Sequence, residues 1–335
     1  MASDTKEVVT DLAPVLRVYK DGKVERLVGS AYVPPSPNHP ATGVSSKDAA
    51  ISPLISARLY LPKTTTTTPQ KLPILIYFHG GGFCVESAFS FLDHRYMNQI
   101  ASQAKVLIIS VEYRLAPEYL LPVAYEDCWD AIQWVASHAV SVNDDGENKE
   151  LWLINHGDFE KVFIGGDSAG GNIVHNIAVR AGIESFNGDL KILGAFLSCP
   201  YFWGSKPLGS ESSESREPSM LYMSESREQS LLYRMWMCAY PSAPGGIDNP
   251  MINPLADDAP SLSGLGCSKV LVCVAGKDPL RDRGVHYVEA VKGSGWTGEV
   301  EVFEVEGEDH CFHIINPDSE NAKNLIKRLA SFISQ

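Results

Sequence analysis

The 335-residue chain predicts a doubly wound α/β domain, a mostly parallel central sheet flanked by helices. Three observations carry that prediction. Short continuous apolar runs recur along the chain, as strands covered on both faces require. Segments with apolar residues on a single helical stripe lie between them. One five-residue pattern, Gly166-Asp167-Ser168-Ala169-Gly170, joins such a run to such a stripe.

The elements follow in order. Residues 15–19 and 24–27 flank Lys20-Asp21-Gly22-Lys23, and Asp-Gly supplies the positive φ values of a tight hairpin turn. Residues 55–61 alternate in polarity and read as a strand. Apolar runs at 73–78, 105–111, 162–166, 192–197, 270–275 and 300–305 read as the sheet. Helical stripes at 124–136, 171–179, 285–291 and 322–332 read as its covering helices. Residues from about 201 to 255 break the alternation with Tyr233, Met235, Trp236 and Tyr240. Together with about residues 1–45 they read as a helical cap on a single domain spanning 1–335. Residues 64–68 read as an exposed loop, and 205–230 as a mobile surface segment.

Composition excludes several functions. With 41 acidic against 28 basic residues, the net charge is -13. Such a chain gains nothing from a phosphate backbone or an anionic bilayer, so neither nucleic acid nor membrane is an expected partner. The first residues lack the apolar core of a secretory signal and the Arg-rich look of a transit peptide. No run of about 18 apolar residues occurs to span a bilayer. Seven scattered cysteines with no CxxC pair suit a reducing cytosol better than disulfides or a zinc site. The expectation is a cytoplasmic protein, monomer or homodimer, acting on a small molecule.

The five-residue pattern is where chemistry is expected. A sharp strand-to-helix turn crowds the backbone and requires small residues two positions either side of Ser168, whose Oγ it then presents above the sheet. The following helix aims its first amides at developing negative charge. His79-Gly80-Gly81-Gly82 ends an earlier strand, and its glycines let amides approach an oxyanion closely. Gly81 and Gly82 with Ala169 are the expected donors; Gly80 is a further candidate, and His79 is a structural hydrogen-bonder. A serine nucleophile needs a base, and the base needs an orienting acid. Asp278 and His310 follow in the right chain order, each just past a strand. Asp282 and Asp309 are rival acids and His313 a rival base, with Asp282 expected to cap the next helix. Phe83, Tyr233 and Trp236 are expected walls of the substrate pocket.

These motifs resemble a known family. HGGGF at residue 79, YRLAPE at Tyr113, GDSAGG at 166–171, DPLRD at 278–282 and DHCFH at 309–313 are similar to the hormone-sensitive-lipase-like branch of the α/β-hydrolases, and more narrowly to the plant carboxylesterases. The resemblance runs over nearly the whole chain. It implies an α/β-hydrolase core and a cap made from the N-terminus and the insertion after the sixth core strand. It also implies a metal-free, cofactor-free ester hydrolysis with Ser168, Asp278 and His310 as the triad and Gly80–Gly82 as the oxyanion loop. The branch includes non-hydrolytic members, 2-hydroxyisoflavanone dehydratase and the cyclases such as catharanthine and tabersonine synthase. Residues 32–36, 86–89 and 239–254 look close to those cyclases, so elimination or cyclisation in the same pocket is the alternative. The HGGG loop and full triad pattern favour hydrolysis. The related gibberellin receptors lack the catalytic histidine, so His310 argues against a purely binding role.

Overall fold

A computed structural model describes residues 7–63, 71–139, 149–212 and 227–334. Residues 64–68 and most of the segment expected to be mobile, 213–226, lie outside the described residues. The chain opens with a three-stranded antiparallel sheet, β1 (Val8–Leu12), β2 (Leu16–Tyr19) and β3 (Val24–Arg26). Gly22 adopts φ +85° in the β2–β3 turn, and Asp21 accepts from the Lys23 amide there at 2.9 Å. The Asp-Gly signal thus marks a real hairpin.

The main sheet has eight strands. They are β4 (Ser45–Ala50), β5 (Ser56–Leu61), β6 (Leu72–Phe78), β7 (Leu107–Glu112), β8 (Gly157–Asp167), β9 (Ile192–Ser198), β10 (Cys267–Ala275) and β11 (Glu299–Val305). Their spatial order is β11-β10-β9-β8-β6-β7-β5-β4. The pairings from β7 through β11 are parallel; β5 joins β7, and β4 joins β5, in antiparallel fashion. The chain therefore moves from β6 to β7 on one side and later to β8 on the other. That reversal leaves a crevice beyond the carboxyl ends of β6 and β8, the place where open α/β sheets put their ligands.

Both faces of the sheet are covered, as its apolar runs require. Ile74, Ile76 and Phe78 join the core under α2 (Val123–Ser137), α4 (Ala169–Ala181) and α6 (Arg281–Gly293). Leu75 and Tyr77, on alternate positions, join the core under α1 (Phe91–Ala104) and α8 (Glu320–Ser334). Short α3 (Leu151–His156) leads into β8, and α7 (Phe312–Ile315) lies between β11 and α8. No helix among the described residues is long and apolar enough to cross a membrane.

The insertion after β9 carries α5 (Leu231–Ala239), whose first turn is capped by the Ser230 hydroxyl accepting from the Tyr233 amide. Arg234 on α5 donates to the Asp11 carbonyl of β1, so the N-terminal sheet and the insertion meet. A second anchor reaches the core. Arg283 of α6 makes two bonds to Glu211, at 2.7 and 2.9 Å, with both side chains buried. Asp282 stands at the start of α6, in its first turn, as expected, but its carboxylate does not cap that helix and accepts instead from the Ser210 amide of the insertion at 2.5 Å.

Candidate active site

Ser168 sits between β8 and α4 with φ 50° and ψ -114°, a conformation that only a well-braced serine holds. The bracing is visible. Its amide donates to Ser198 O at 2.9 Å, and its carbonyl accepts from Asn172 and Tyr201 amides at 3.0 and 2.9 Å. The turn leaves no room beside it. A Cβ on Gly170 would lie 1.9 Å from Phe78 O, and one on Gly166 would lie 2.4 Å from the Gly170 carbonyl carbon. The small-residue rule read from the pattern thus has a steric basis at both positions.

Asp278 follows β10 and His310 follows β11. Their loops are tied together by the Lys277 amide donating to Glu308 O at 2.8 Å. Asp278 is buried; its Oδ1 accepts from the Leu280 amide at 2.9 Å and its Oδ2 lies 2.7 Å from His310 Nδ1. On the far side of the ring, His310 Nε2 lies 2.9 Å from Ser168 Oγ. Burial works against the imidazolium, but the Asp278 charge and hydrogen bond outweigh it and lift the His310 pKa to about 9. The rivals lie elsewhere. Asp309 is exposed, and its carboxylate accepts from the His310 amide. His313 is buried against Tyr96, and burial, reinforced by the nearby His310 charge, lowers its pKa to about 3.

Gly80, Gly81 and Gly82 line the same cavity as Ser168 and His310. Gly81 has φ +99° and Gly82 φ +59°, and a Cβ on Gly81 would meet Val85 O at 2.2 Å, so glycine is required there. The amides of Gly81, Gly82 and Ala169 have no hydrogen-bond acceptor among the described residues. Ala169 is the first residue of α4, where helix amides are unpaired by geometry. His79 stands behind this loop, stacked on Tyr113 at 4.3 Å with Nδ1 2.8 Å from Gly80 O; burial lowers its pKa to about 4. It is a neutral structural group.

The cavity holds about 230 Å³. Its walls correct the expected ones. Phe83 and Trp236 are fully buried, packed on each other and on Tyr125, Tyr201 and Tyr240. Trp236 Nε1 is spent on Gly246 O. Neither these two nor Tyr233 lines the cavity. The face of α5 that does so bears Leu231, Leu232 and Met235, and Val15 and Val28 of the N-terminal segment line the cavity as well. Of the aromatic residues of that helix, Trp236 packs into the interior and Tyr233 is only half-buried; the i, i+1, i+4 spacing of 231, 232 and 235 is the better signal. The cavity also includes the buried Asp93, for which sequence offered no sign.

Cys199, Asp278 and His310 each place a possible metal-ligand atom within 4.8 Å of the others. Both His310 nitrogens are already engaged, one with Asp278 and one with Ser168, so the group is arranged for proton transfer rather than for coordination.

A parallel sheet with a braced serine elbow at its switch point defines the α/β-hydrolase class. The model of a family described as alpha/beta hydrolase fold matches residues 75–314, and the chain belongs to that family. Within it the chain falls in the branch of the plant carboxylesterases and their dehydratase relatives. It is 56% identical to 2-hydroxyisoflavanone dehydratase of Glycyrrhiza echinata, over 99% of this chain and all of that protein. It is 44% identical to probable carboxylesterase 7 of Arabidopsis thaliana, over 98% of this chain and 99% of the relative. Among solved structures it is similar to a Pyrobaculum calidifontis esterase, with TM-score 0.64, 27% identity, and coverage of 88% of this chain and 86% of that one.

Proposed function

We propose that the protein is a serine carboxylesterase acting on a small-molecule ester. The observation that carries this reading is the unbroken hydrogen-bonded line from Asp278 through His310 to Ser168 Oγ, facing amides without acceptors. His310 takes the Ser168 proton as Oγ attacks the ester carbonyl. Asp278 holds the ring in the tautomer with its proton on Nδ1 and stabilises the imidazolium that forms. The amides of Gly81, Gly82 and Ala169 receive the oxyanion. The imidazolium returns the proton to the leaving alcohol, and water then cleaves the acyl-enzyme by the same base. The insertion after β9 and the N-terminal sheet act as the cap that closes the apolar side of the cavity.

A second reading has support of its own. The relative at 56% identity is a dehydratase, so the pocket can be read as serving elimination or cyclisation of a specialised metabolite. The two readings separate experimentally. For the esterase, p-nitrophenyl butyrate is turned over, Ser168 is labelled by a fluorophosphonate, and heavy oxygen from labelled water enters the acid product. Ser168→Ala then lowers turnover by roughly 10⁴-fold or more. Undiminished turnover in that variant removes the assignment of nucleophile. An unlabelled product favours elimination.

A further inference from the structure

One polar group of the cavity wall has no part in the chemistry above. Asp93, in the first turn of α1, lines the cavity and is only 3% exposed. Its Oδ2 accepts from Ser90 Oγ at 3.1 Å, and its Oδ1 has no hydrogen-bond partner among the described residues. The other two carboxyl groups of the wall are engaged. Asp167 accepts from the Tyr77 hydroxyl at 2.5 Å, and Glu86 accepts from the Ser30 amide and hydroxyl, both at 3.1 Å.

Among the described residues no Lys or Arg side chain lines the cavity, and its one cationic group, the His310 imidazolium, is paired with Asp278 rather than with Asp93. Burial above all, then the charges of Asp167 and Glu86, hold its carboxyl well above the usual carboxylate range. These influences favour the protonated form of the carboxyl. With Oδ2 engaged as an acceptor, its proton falls to Oδ1. A buried donor left without an acceptor destabilises a fold, and such groups concentrate where a ligand completes them.

We propose that Asp93 is a specificity-determining residue of the cavity, donating a hydrogen bond to a neutral hydroxyl or carbonyl oxygen of the substrate. The neighbouring Asp167 and Glu86 disfavour an anionic ligand, and burial disfavours the ionised Asp93 that a cation would need. Leu231, Leu232 and Met235 take the rest of the molecule. The substrate class is thus an uncharged, largely apolar compound with an oxygen function away from the reacting carbon. The inference rests on this cavity being the substrate site, whether the reaction there is hydrolysis or elimination.

The test uses binding, so it stands apart from the esterase assay. In the full-length Ser168→Ala protein, affinities for p-cresol and for the near-isosteric p-xylene are measured by ligand-observed NMR. Expected is a preference for p-cresol of about tenfold, the scale of one net hydrogen bond. Adding Asp93→Asn, which keeps a donor, preserves most of that preference, whereas Asp93→Leu brings the two affinities together. A preference that survives Asp93→Leu, or two affinities that fall in parallel, overturns the proposal. A side chain that merely holds an internal water would change stability and leave the ratio unmoved. Infrared spectroscopy supplies a check that does not need the leucine variant to fold. The carbonyl band of protonated Asp93, identified by its loss in Asp93→Asn, shifts on adding p-cresol but not p-xylene. An absent or unmoved band overturns the proposal as well.

Discussion

His310 is held between two opposing influences, a buried setting that penalises its charge and an Asp278 carboxylate that rewards it. Because the second wins, the ring stays protonated until the pH approaches about 9. Only the neutral ring can accept the Ser168 proton. The kcat/KM for p-nitrophenyl butyrate is therefore expected to rise with pH and level off above about 9. Asp278→Asn moves that limb toward the ordinary histidine range and lowers kcat by roughly 10⁴-fold, since the carboxamide no longer fixes the tautomer. A limb that stays in place in Asp278→Asn would show that another group sets it. The same pairing bears on stability. The folded-state pKa lies above the unfolded value, so the contribution is complete at pH values below the ordinary histidine range and is lost as pH rises through about 9. At this scale the sequence was most informative where geometry demands one residue type. Gly166, Gly170 and Gly81 were legible because a Cβ there has no room. Asp93 was not, because a lone acid at a helix start looks like any solvated first-turn carboxylate.

At the scale of elements, the inner strands declared themselves through long apolar runs, and the four long helices α2, α4, α6 and α8 through their stripes. The elements that sequence missed lie at edges or mix polarity. β4, Ser-Ser-Lys-Asp-Ala-Ala, is an edge strand with little apolar content, and β1 pairs only with β2. α1 buries Asp93, His94 and Asn98 beside Met97 and Ile100, so its inward face does not read as apolar. The pocket walls differ from the expected ones for a related reason: Trp236, the largest side chain of α5, packs inward, and the aliphatic Leu231, Leu232 and Met235 meet the cavity. The insertion also has an attachment that no local pattern announces. Arg283 and Glu211 are far apart in sequence and fully paired in the interior. Removing one partner strands a buried charge, which costs about 3–5 kcal/mol. Arg283→Met is thus expected to lower the thermal midpoint markedly, with much of the loss recovered in Arg283→Met/Glu211→Leu. An unchanged midpoint in the single variant would mean that water reaches the pair.

The whole molecule divides its site among distant parts of the chain. The glycine loop proposed as oxyanion hole follows β6, the proposed nucleophile follows β8, the proposed acid follows β10 and the proposed base follows β11. The first two come from neighbouring central strands, paired at Phe78 and Gly166, with α4 packed close on Phe78 at Gly170. The base comes from the periphery, since β11 has β10 as its single neighbour in the sheet. This division has a consequence for how the protein fails. Outer strands open at lower free energy than inner ones, so the first fluctuation to interrupt the site is a fraying of β11 that carries His310 away from an intact serine elbow. Gentle heating should therefore silence the enzyme before it melts, reversibly, with turnover falling several degrees below the circular-dichroism transition and hydrogen exchange fastest along β11. Coincident loss of turnover and secondary structure would place the weakest link elsewhere. A nascent chain, for the same reason, would emerge from synthesis with its nucleophile folded but idle until the last strand docks.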